Sequence, residues 1–251
     1  MLYAYIDNVN VKEFKKSMRE KIWRLMEELD IARFPRPVFG RIPNFIGAET
    51  AAKRLFNMNL WKKARIVKVN PDSPQKPVRK RALEDGKILL MPTPRIRRGF
   101  LLINPNSVPR GAYSYASTIR GAFIYGKVLN LNEIPKVDLI VIGSVVVDIY
   151  GTRIGKGGGY AELEYGILRE VNAVNEKVPV VTTVHEVQVV KERLPREKHD
   201  LPVDVIITPK RVLTSLNPYP KPAGIYWDIL DERKISQIPI LGELKTLMKN
   251  R

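Results

Sequence analysis

Short apolar runs alternate with helix-periodic segments along most of this chain, and this alternation sharply limits the folds it can adopt. The runs have strand length and lie at Arg65–Val69, Lys87–Met91, Val137–Ile142, Val178–Val184 and Val203–Ile207. Strands separated by helices favour βαβ units, in which parallel strands are buried between helices. The pattern therefore predicts an α/β fold with a mostly parallel sheet.

Several segments carry the apolar periodicity of amphipathic helices. They are Val11–Asp30, Ala48–Leu60, Val78–Asp85, a helix that begins near Tyr160, and a short terminal helix at Glu243–Lys249. Asn10 is a favourable N-cap for the first helix, and Gly86 follows the third at the C′ position, where glycine is preferred. We expect residues 1–230 to form one domain and residues 231–251 a tail that is partly helical.

A glycine-rich segment lies between the apolar run Val137–Ile142 and the helix that begins near Tyr160. Residues Arg153–Tyr160 read Arg-Ile-Gly-Lys-Gly-Gly-Gly-Tyr. Glycines let the backbone turn sharply and approach a ligand closely, and a helix N-terminus adds free N–H groups and a partial positive charge. With the cations Arg153 and Lys156, the segment predicts a cradle for an anion such as phosphate.

The glycine-rich segment matches neither of two common phosphate-binding fingerprints. Gly151 is not followed by Gly-Lys-Ser/Thr at the Walker A spacing, and Tyr160 stands where the dinucleotide pattern needs its third glycine. A flexible connection with solvated cations is the alternative interpretation.

Further candidate residues lie elsewhere in the chain. Lys15 and Arg19 are four residues apart and share one side of the first helix, either as ligand contacts or as ordinary surface cations. Pro92–Phe100 contains three arginines after a strand, where open α/β sheets bind ligands, although a charged loop is an equal alternative. His185 follows a strand as an acid–base candidate or, more commonly, as a hydrogen-bonded cap.

Charge points to an anionic partner. The formal net charge is +17, and most of it falls in residues 1–110. Such a basic half suits nucleic acid or a polyanionic small molecule, and a solvated basic surface is the alternative. The sequence leaves the oligomeric state undetermined.

Composition excludes several classes of site. The chain has no cysteine, which rules out disulfides, thiolate metal sites and a cysteine nucleophile. Its apolar runs fall short of the roughly 20 residues of a membrane span. Residues 1–10 lack the features of a signal peptide, so we expect a cytoplasmic protein with no membrane partner.

The glycine-rich segment and several other stretches also carry a family resemblance. Together they are similar to the 5-formyltetrahydrofolate cyclo-ligase (methenyltetrahydrofolate synthetase) family, and most of all to its methenyltetrahydrofolate synthetase domain-containing branch. The stretches are Arg153–Tyr160, Ile142–Val145, Gly159–Tyr165, Phe34–Pro37, Arg41–Phe45 and Pro92–Arg95. The resemblance extends from about Lys12 to Trp227.

The resemblance implies an open three-layer α/β sandwich and an ATP-dependent ligase of one-carbon metabolism. Such an enzyme cyclises 5-formyltetrahydrofolate to 5,10-methenyltetrahydrofolate by phosphorylating the formyl oxygen. The matching positions imply catalytic roles for Arg153 and Lys156, and Mg²⁺ ligation by Glu162 and Asp200. The implied ATP-binding residues are Lys15, Arg19, Arg153, Ile154, Gly155, Lys156, Gly157, Gly158, Gly159, Tyr160 and Ala161.

This chain departs from the family pattern at two positions after the glycines. Ala161 stands in place of a second tyrosine, and Glu162 stands in place of an aspartate. The substrate-contacting glutamate has no clear counterpart, with Asp72 in the right neighbourhood. A non-catalytic member that binds RNA through its basic half, or an ATP-dependent step on a related pterin, therefore remains an alternative to turnover of a reduced folate.

Overall fold

Five parallel strands form the middle of an eight-stranded central sheet. The computed structural model describes residues 10–216 and 219–249, with the side chains of 248 and 249 excepted. The expected absence of a signal peptide concerns residues that lie almost entirely outside this described part. Within it, no helix has both the length and the apolarity that crossing a membrane requires.

The helices of the described chain fall close to the predicted segments, except those within residues 113–125 and 232–237, which were not predicted. They are α1 (Val11–Glu28), α2 (Ala48–Phe56), α3 (Asn59–Lys63), α4 (Lys76–Glu84), α5 (Tyr113–Ala116), α6 (Ile119–Tyr125), α7 (Tyr160–Glu170), α8 (Glu232–Gln237) and α9 (Pro239–Lys249). The Asn10 side chain accepts a hydrogen bond from the Glu13 N–H at 3.3 Å, which confirms the predicted N-cap. Gly86 has φ of +72° after α4, as its C′ position requires.

The strands are short. They are β1 (Ala32–Arg33), β2 (Asn44–Phe45), β3 (Ile66–Val69), β4 (Ile88–Pro92), β5 (Phe100–Ile103), β6 (Lys127–Leu129), β7 (Leu139–Ile142), β8 (Val146–Asp148), β9 (Arg153–Ile154), β10 (Val180–Thr183), β11 (Val189–Val190), β12 (Val205–Ile207) and β13 (Val212–Thr214). The central sheet has the order β13-β12-β10-β7-β3-β4-β5-β6. Strands β12, β10, β7, β3 and β4 run parallel, and the remaining three pair antiparallel at the edges.

Helices cover both faces of the central sheet, which confirms the predicted open three-layer sandwich. In β7, Leu139 and Val141 pack into one apolar cluster, together with buried residues of α1, α2 and α4. Ile140 and Ile142 point to the opposite face and pack into a second cluster with buried residues of α7 and α9. This alternation follows from the two-residue period of a strand.

Two local predictions differ from the structure. The segment Ala48–Leu60 is not one helix, because Met58 adopts an extended conformation (φ −78°, ψ 146°) that separates α2 from α3. The predicted terminal helix at Glu243–Lys249 belongs to the longer α9, which begins at Pro239, and α8 precedes it. Apolar periodicity therefore located these helices and missed their ends.

The C-terminal helices pack on the rest of the chain. Ile238, Ile240, Leu241 and Leu244 are at most 5% exposed and belong to the second apolar cluster. Ile240 also contacts the loop after β4, where a Cβ at Gly99 would lie 3.3 Å from its Cδ1. Residues 232–249 thus share the core of the preceding chain.

The packing of α9 predicts a clear contrast between two of its leucines. Leu241→Ala should lower the free energy of unfolding by about 2–5 kcal/mol, because it deletes a fully buried side chain. Leu247→Ala should change it by less than about 0.5 kcal/mol, because Leu247 is 50% exposed. Urea unfolding followed by circular dichroism measures both. Equal effects would show that α9 is not part of the cooperative core.

Candidate functional site

A cavity of about 810 Å³ opens at the carboxyl ends of three central strands. Asn70, Thr93 and Gly143 line it, and each is the first residue after β3, β4 and β7, respectively. Ligands of open α/β sheets bind at this edge. The position of the cavity therefore makes it the candidate functional site.

The glycine-rich segment forms one wall of this cavity, but it does not follow the central strand directly. Strands β8 and β9 intervene and pair antiparallel in a separate three-stranded sheet with the order β11-β8-β9. Arg153 and Ile154 are the two residues of β9, so the turn itself comprises Gly155–Gly159. The segment is therefore the exit of a β-hairpin that sits above the main sheet.

The turn leads into α7, as predicted. Gly159 is the N-cap of α7 with φ of +68°, and no side chain caps the helix there within the described chain. The first N–H groups of a helix have no partner inside the helix. Uncapped N–H groups at the positive end of α7 therefore face the same region as the cations of the segment.

Arg19 of α1 packs directly on the turn. Its guanidinium atoms lie 3.4–3.6 Å from the point where a Cβ at Gly157 would be placed. Gly157 has φ of +99°, a conformation that side chains rarely adopt. Glycine is favoured here because its φ would strain any side chain, whereas a Cβ would make only ordinary van der Waals contact with Arg19. Burial lowers the pKa of Arg19.

Arg153, predicted as a cation of the anion cradle, is buried in the structure. It is 3% exposed, and its guanidinium donates to the Glu162 carboxylate at 2.6 Å and to the Gly143 carbonyl at 3.4 Å. Its Nε is buried without a hydrogen-bond partner within the described chain. Arg153 lines the cavity but is fixed in place by Glu162, the first-turn glutamate of α7.

Lys156 is the exposed cation of the turn. Its side chain is 43% exposed, and its Nζ lies 2.8 Å from the Asp72 carboxylate. Asp72 belongs to the loop after β3, which Arg79 holds by donating to the carbonyls of Asn70 and Asp72. Burial lowers the pKa of Arg79 to about 10. Arg79, which the sequence analysis did not single out, therefore positions this wall of the cavity.

Lys15 contacts the loop that contains Asp200. It is 8% exposed, and its Nζ lies 2.5 Å from Asp200 and 2.9 Å from Glu197. Donor atoms of Glu197, His199 and Asp200 lie within 4.8 Å of one another, an arrangement that could hold a metal ion. Glu162 is not part of that set, and its carboxylate accepts from Arg153 instead. Ligation of Mg²⁺ by Glu162 and Asp200 stays a prediction.

A buried charge pair beneath the cavity was missed by sequence reasoning. Lys68 of β3 and Glu164 of α7 are 2% and 5% exposed, and their charged atoms lie 2.5 Å apart. Asn70 donates to the same glutamate at 3.0 Å. Burial raises the pKa of Glu164. The sequence did carry a signal for this pair. Lys68 and Glu164 are charges of opposite sign within apolar segments, and such residues are rarely buried unless paired.

The structure separates the three arginines of the loop after β4. Arg95 lines the cavity, whereas Arg98 lies 5.3 Å from the centroid of the Phe123 ring. Arg95 and Ile96 both have φ of +56°, which is unfavourable for these residue types. This strained turn holds Arg95 at the cavity rim.

His185 acts as a cap rather than as an open acid–base group. It precedes a short 3₁₀ helix, its Nδ1 accepts from the Val187 N–H at 3.4 Å, and Gln188 completes the capping box. Burial lowers the pKa of His185. The cap interpretation agrees with this geometry.

Comparison with known proteins gives sequence relatives over most of the chain. The profile of the 5-formyltetrahydrofolate cyclo-ligase family matches residues 11–209. Proteins named methenyltetrahydrofolate synthase domain-containing protein, from Bos taurus and Mus musculus, are each 46% identical over 238 residues, 92% of this chain. The match covers only 62% and 63% of those two proteins, so the chain spans less than two thirds of their length.

Two further comparisons concern proteins whose names state a cyclo-ligase or synthetase activity. The 5-formyltetrahydrofolate cyclo-ligase of Escherichia coli strain K12 is 32% identical over 77 residues, 31% of this chain and 39% of that protein. The NMR structure of Aquifex aeolicus 5,10-methenyltetrahydrofolate synthetase is similar with a TM-score of 0.51 and 22% identity. It covers 88% of this chain and 100% of that one. This likeness shows a shared fold.

Breaking the buried Lys68–Glu164 pair should lower the free energy of unfolding much more than breaking an exposed pair does. Lys68→Met should lower the free energy of unfolding by about 3–5 kcal/mol, because it leaves a buried carboxylate without its cation. Lys68→Met combined with Glu164→Leu should recover most of that loss. The control is Lys127→Met, whose partner is Glu133; its side chain is 66% exposed, and about 0–1 kcal/mol is expected.

Chemical denaturation measures all three variants. A loss for Lys68→Met no larger than for Lys127→Met would contradict the assignment of a buried charge pair.

The His185 cap predicts a pH dependence of stability. A lowered pKa in the folded protein means that the unfolded chain binds the proton more readily, with a usual pKa near 6.5. The stabilising contribution is therefore complete above about pH 6.5 and is lost as the pH falls below it. His185→Asn keeps a good cap without titrating. It should flatten unfolding free energies measured between about pH 5.5 and 7.5, and an unchanged pH profile would refute the prediction.

Proposed function

Because the chain belongs to the 5-formyltetrahydrofolate cyclo-ligase family, we propose that it catalyses ATP-dependent cyclisation of 5-formyltetrahydrofolate to 5,10-methenyltetrahydrofolate. The observation that carries this proposal is the cavity wall formed by the glycine turn and the N-terminus of α7. That wall offers backbone N–H groups together with the cations Arg19 and Lys156. Phosphoryl transfer depends mainly on positioning and charge neutralisation, and this wall can supply both.

The phosphates of ATP would bind along the glycine turn. Gly155–Gly159 brings the backbone within reach of a ligand, and α7 directs its positive end there. Lys156 and Arg19 would contact phosphate oxygens. Arg153 would act from beneath, because Glu162 and the Gly143 carbonyl hold its guanidinium in one orientation. Glu162, which replaces an aspartate of the family pattern, fits this arrangement because its carboxylate accepts a hydrogen bond from Arg153.

Mg²⁺ would bind on the Lys15 side of the cavity. The carboxylates of Glu197 and Asp200 are hard oxygen donors of the kind that Mg²⁺ prefers, and His199 is their neighbour. Asp200 with Glu197 would hold the ion, which supplies charge neutralisation to the phosphates when bound. Lys15 contributes a positive charge beside both carboxylates.

The reduced folate would occupy the remaining part of the cavity. Ile42 and Ile119 offer apolar surface there, and Thr93 and Arg95 line the same space. Arg95 suits a carboxylate of the glutamate tail, because arginine binds carboxylates with two parallel hydrogen bonds. In the proposed reaction the formyl oxygen attacks the γ-phosphorus with departure of ADP. N10 then attacks the formyl carbon and releases its proton to solvent, and phosphate leaves to give the methenyl product.

A turnover assay tests this function directly. The full chain with ATP, Mg²⁺ and 5-formyltetrahydrofolate should produce the absorbance of the methenyl product and release phosphate in equal amount. Phosphate release with a related pterin, and none with the folate, would replace the substrate and keep the reaction class. Absence of turnover together with salt-sensitive RNA binding would favour the binding-protein alternative.

Lys156 gives a variant that separates ligand binding from stability. Lys156→Ala should raise the KM for ATP by about 10- to 100-fold, because it removes a charged phosphate contact. Its ion pair with Asp72 is half exposed, so unfolding should change by no more than about 1 kcal/mol. Lys177→Ala, at an exposed lysine after α7, is the control. Parallel losses of ATP affinity and thermal stability would identify the turn as structural only.

A further inference from the structure

The C-terminal helices bring a residue to the cavity from outside residues 11–209, the part of the chain that the family profile matches. The family profile ends at residue 209, whereas α8 and α9 occupy residues 232–249. Buried side chains on α9, Leu241 among them, fix these helices against the second apolar cluster. Lys245 of α9 and Glu232 of α8 lie 3.4 Å apart and join the two helices. Their position beside the cavity is therefore set by packing.

Lys234 of α8 reaches the glycine turn. Its Nζ donates to the Gly158 carbonyl at 2.9 Å and lies 5.8 Å from the centre of the Tyr160 ring. A Cβ at Gly159 would lie only 3.1 Å from that Nζ. Lys234 lines the same cavity as Arg19 and Lys156. Its ammonium group is therefore placed at the start of α7.

The placement of this ammonium group is electrostatically unfavourable unless an anion joins it. The N-terminus of α7 carries a partial positive charge, which repels a nearby cation. Within residues 10–216 and 219–249, Lys234 has no carboxylate within ion-pair distance. Arg19 stands on the other side of the turn at Gly157. Arg153, also lining the cavity, keeps a buried Nε without a partner.

Arg19 and Lys234, two cavity cations with no ion pair in the described part of the chain, flank three successive glycines. Arg19 contacts the position of Gly157, and Lys234 contacts Gly158 and Gly159. An ammonium group is a point charge that rotates to suit phosphate oxygens, whereas a guanidinium binds two oxygens at once. A group with several negative oxygens spread over the turn satisfies both cations. A polyphosphate has that form.

We propose that Lys234 is a ligand of the polyphosphate at the glycine turn, so that the C-terminal helices complete a binding site which residues 11–209 leave open on one side. This inference rests on the proposed function in taking the triphosphate as its ligand. It adds a binding residue that the sequence analysis did not assign, and it makes α8 part of the functional unit.

Inorganic tripolyphosphate tests the role of Lys234 without requiring turnover. Isothermal titration of the full chain should give binding that Lys234→Ala weakens by about tenfold at low ionic strength. Lys234→Arg should restore most of the affinity, because it keeps the charge. The difference between wild type and Lys234→Ala should shrink at high salt, which screens an exposed charge contact. A purely structural role through the Gly158 carbonyl would not respond to salt in this way.

Lys245→Ala is the matched control. It removes a lysine from the same pair of helices and breaks their ion pair with Glu232, but Lys245 does not line the cavity. The affinity of the Lys245→Ala variant for tripolyphosphate should equal that of wild type. Equal affinity of wild type and Lys234→Ala, or equal weakening in Lys234→Ala and Lys245→Ala, would overturn the inference.

Two other outcomes separate this inference from the proposed function. If tripolyphosphate binding depends on Lys234 but no methenyl product forms, the cyclo-ligase activity is refuted and the anion site stands. If methenyl product forms and Lys234→Ala leaves both the KM for ATP and tripolyphosphate affinity unchanged, the activity stands and the role of Lys234 is refuted. Failure of wild type to bind either ATP or tripolyphosphate refutes both.

Discussion

Pairing of opposite charges around one cavity is the constraint on which the rest of this structure depends. The pairs are Lys15–Asp200, Lys68–Glu164, Arg153–Glu162 and Lys156–Asp72. Three of them join residues 84 to 185 positions apart, so each forms only when the layers have assembled. A buried charge without its partner is costly. The three buried pairs, all except Lys156–Asp72, therefore couple the geometry of the cavity to the integrity of the fold.

The same pairing explains which groups remain available to a ligand. Arg153 and the half-exposed Lys156 form ion pairs with carboxylates. Arg19 and Lys234 face the glycine turn and have no carboxylate partner in the described chain. The turn itself supplies N–H groups because four of its five residues are glycines and α7 begins without a side-chain cap in the described chain. A cavity with this balance favours a ligand of high negative charge, and Lys234 of α8 contributes one of its cations.

Several features of the site were predictable because they depend on neighbouring residues. The glycine turn, the start of α7 and the placement of ligand-binding loops at the carboxyl ends of strands all follow from local pattern and from the rules of α/β sheets. The family resemblance is likewise confirmed by the match over residues 11–209. By contrast, the β8–β9 hairpin was hidden, since two- and three-residue strands give too short an alternation to detect.

The sequence alone determined the α/β class, the approximate positions of the main helices and strands, and the glycine turn, because apolar periodicity and glycine content act over a few residues. Only the tertiary structure decided that Glu164 meets Lys68, that Glu162 fixes Arg153, and that Lys234 reaches Gly158. These contacts depend on how sheets and helices stack after the chain has folded. The physical reason is that charge pairing acts through space, so local patterns of a few residues do not reveal which distant partner will be near.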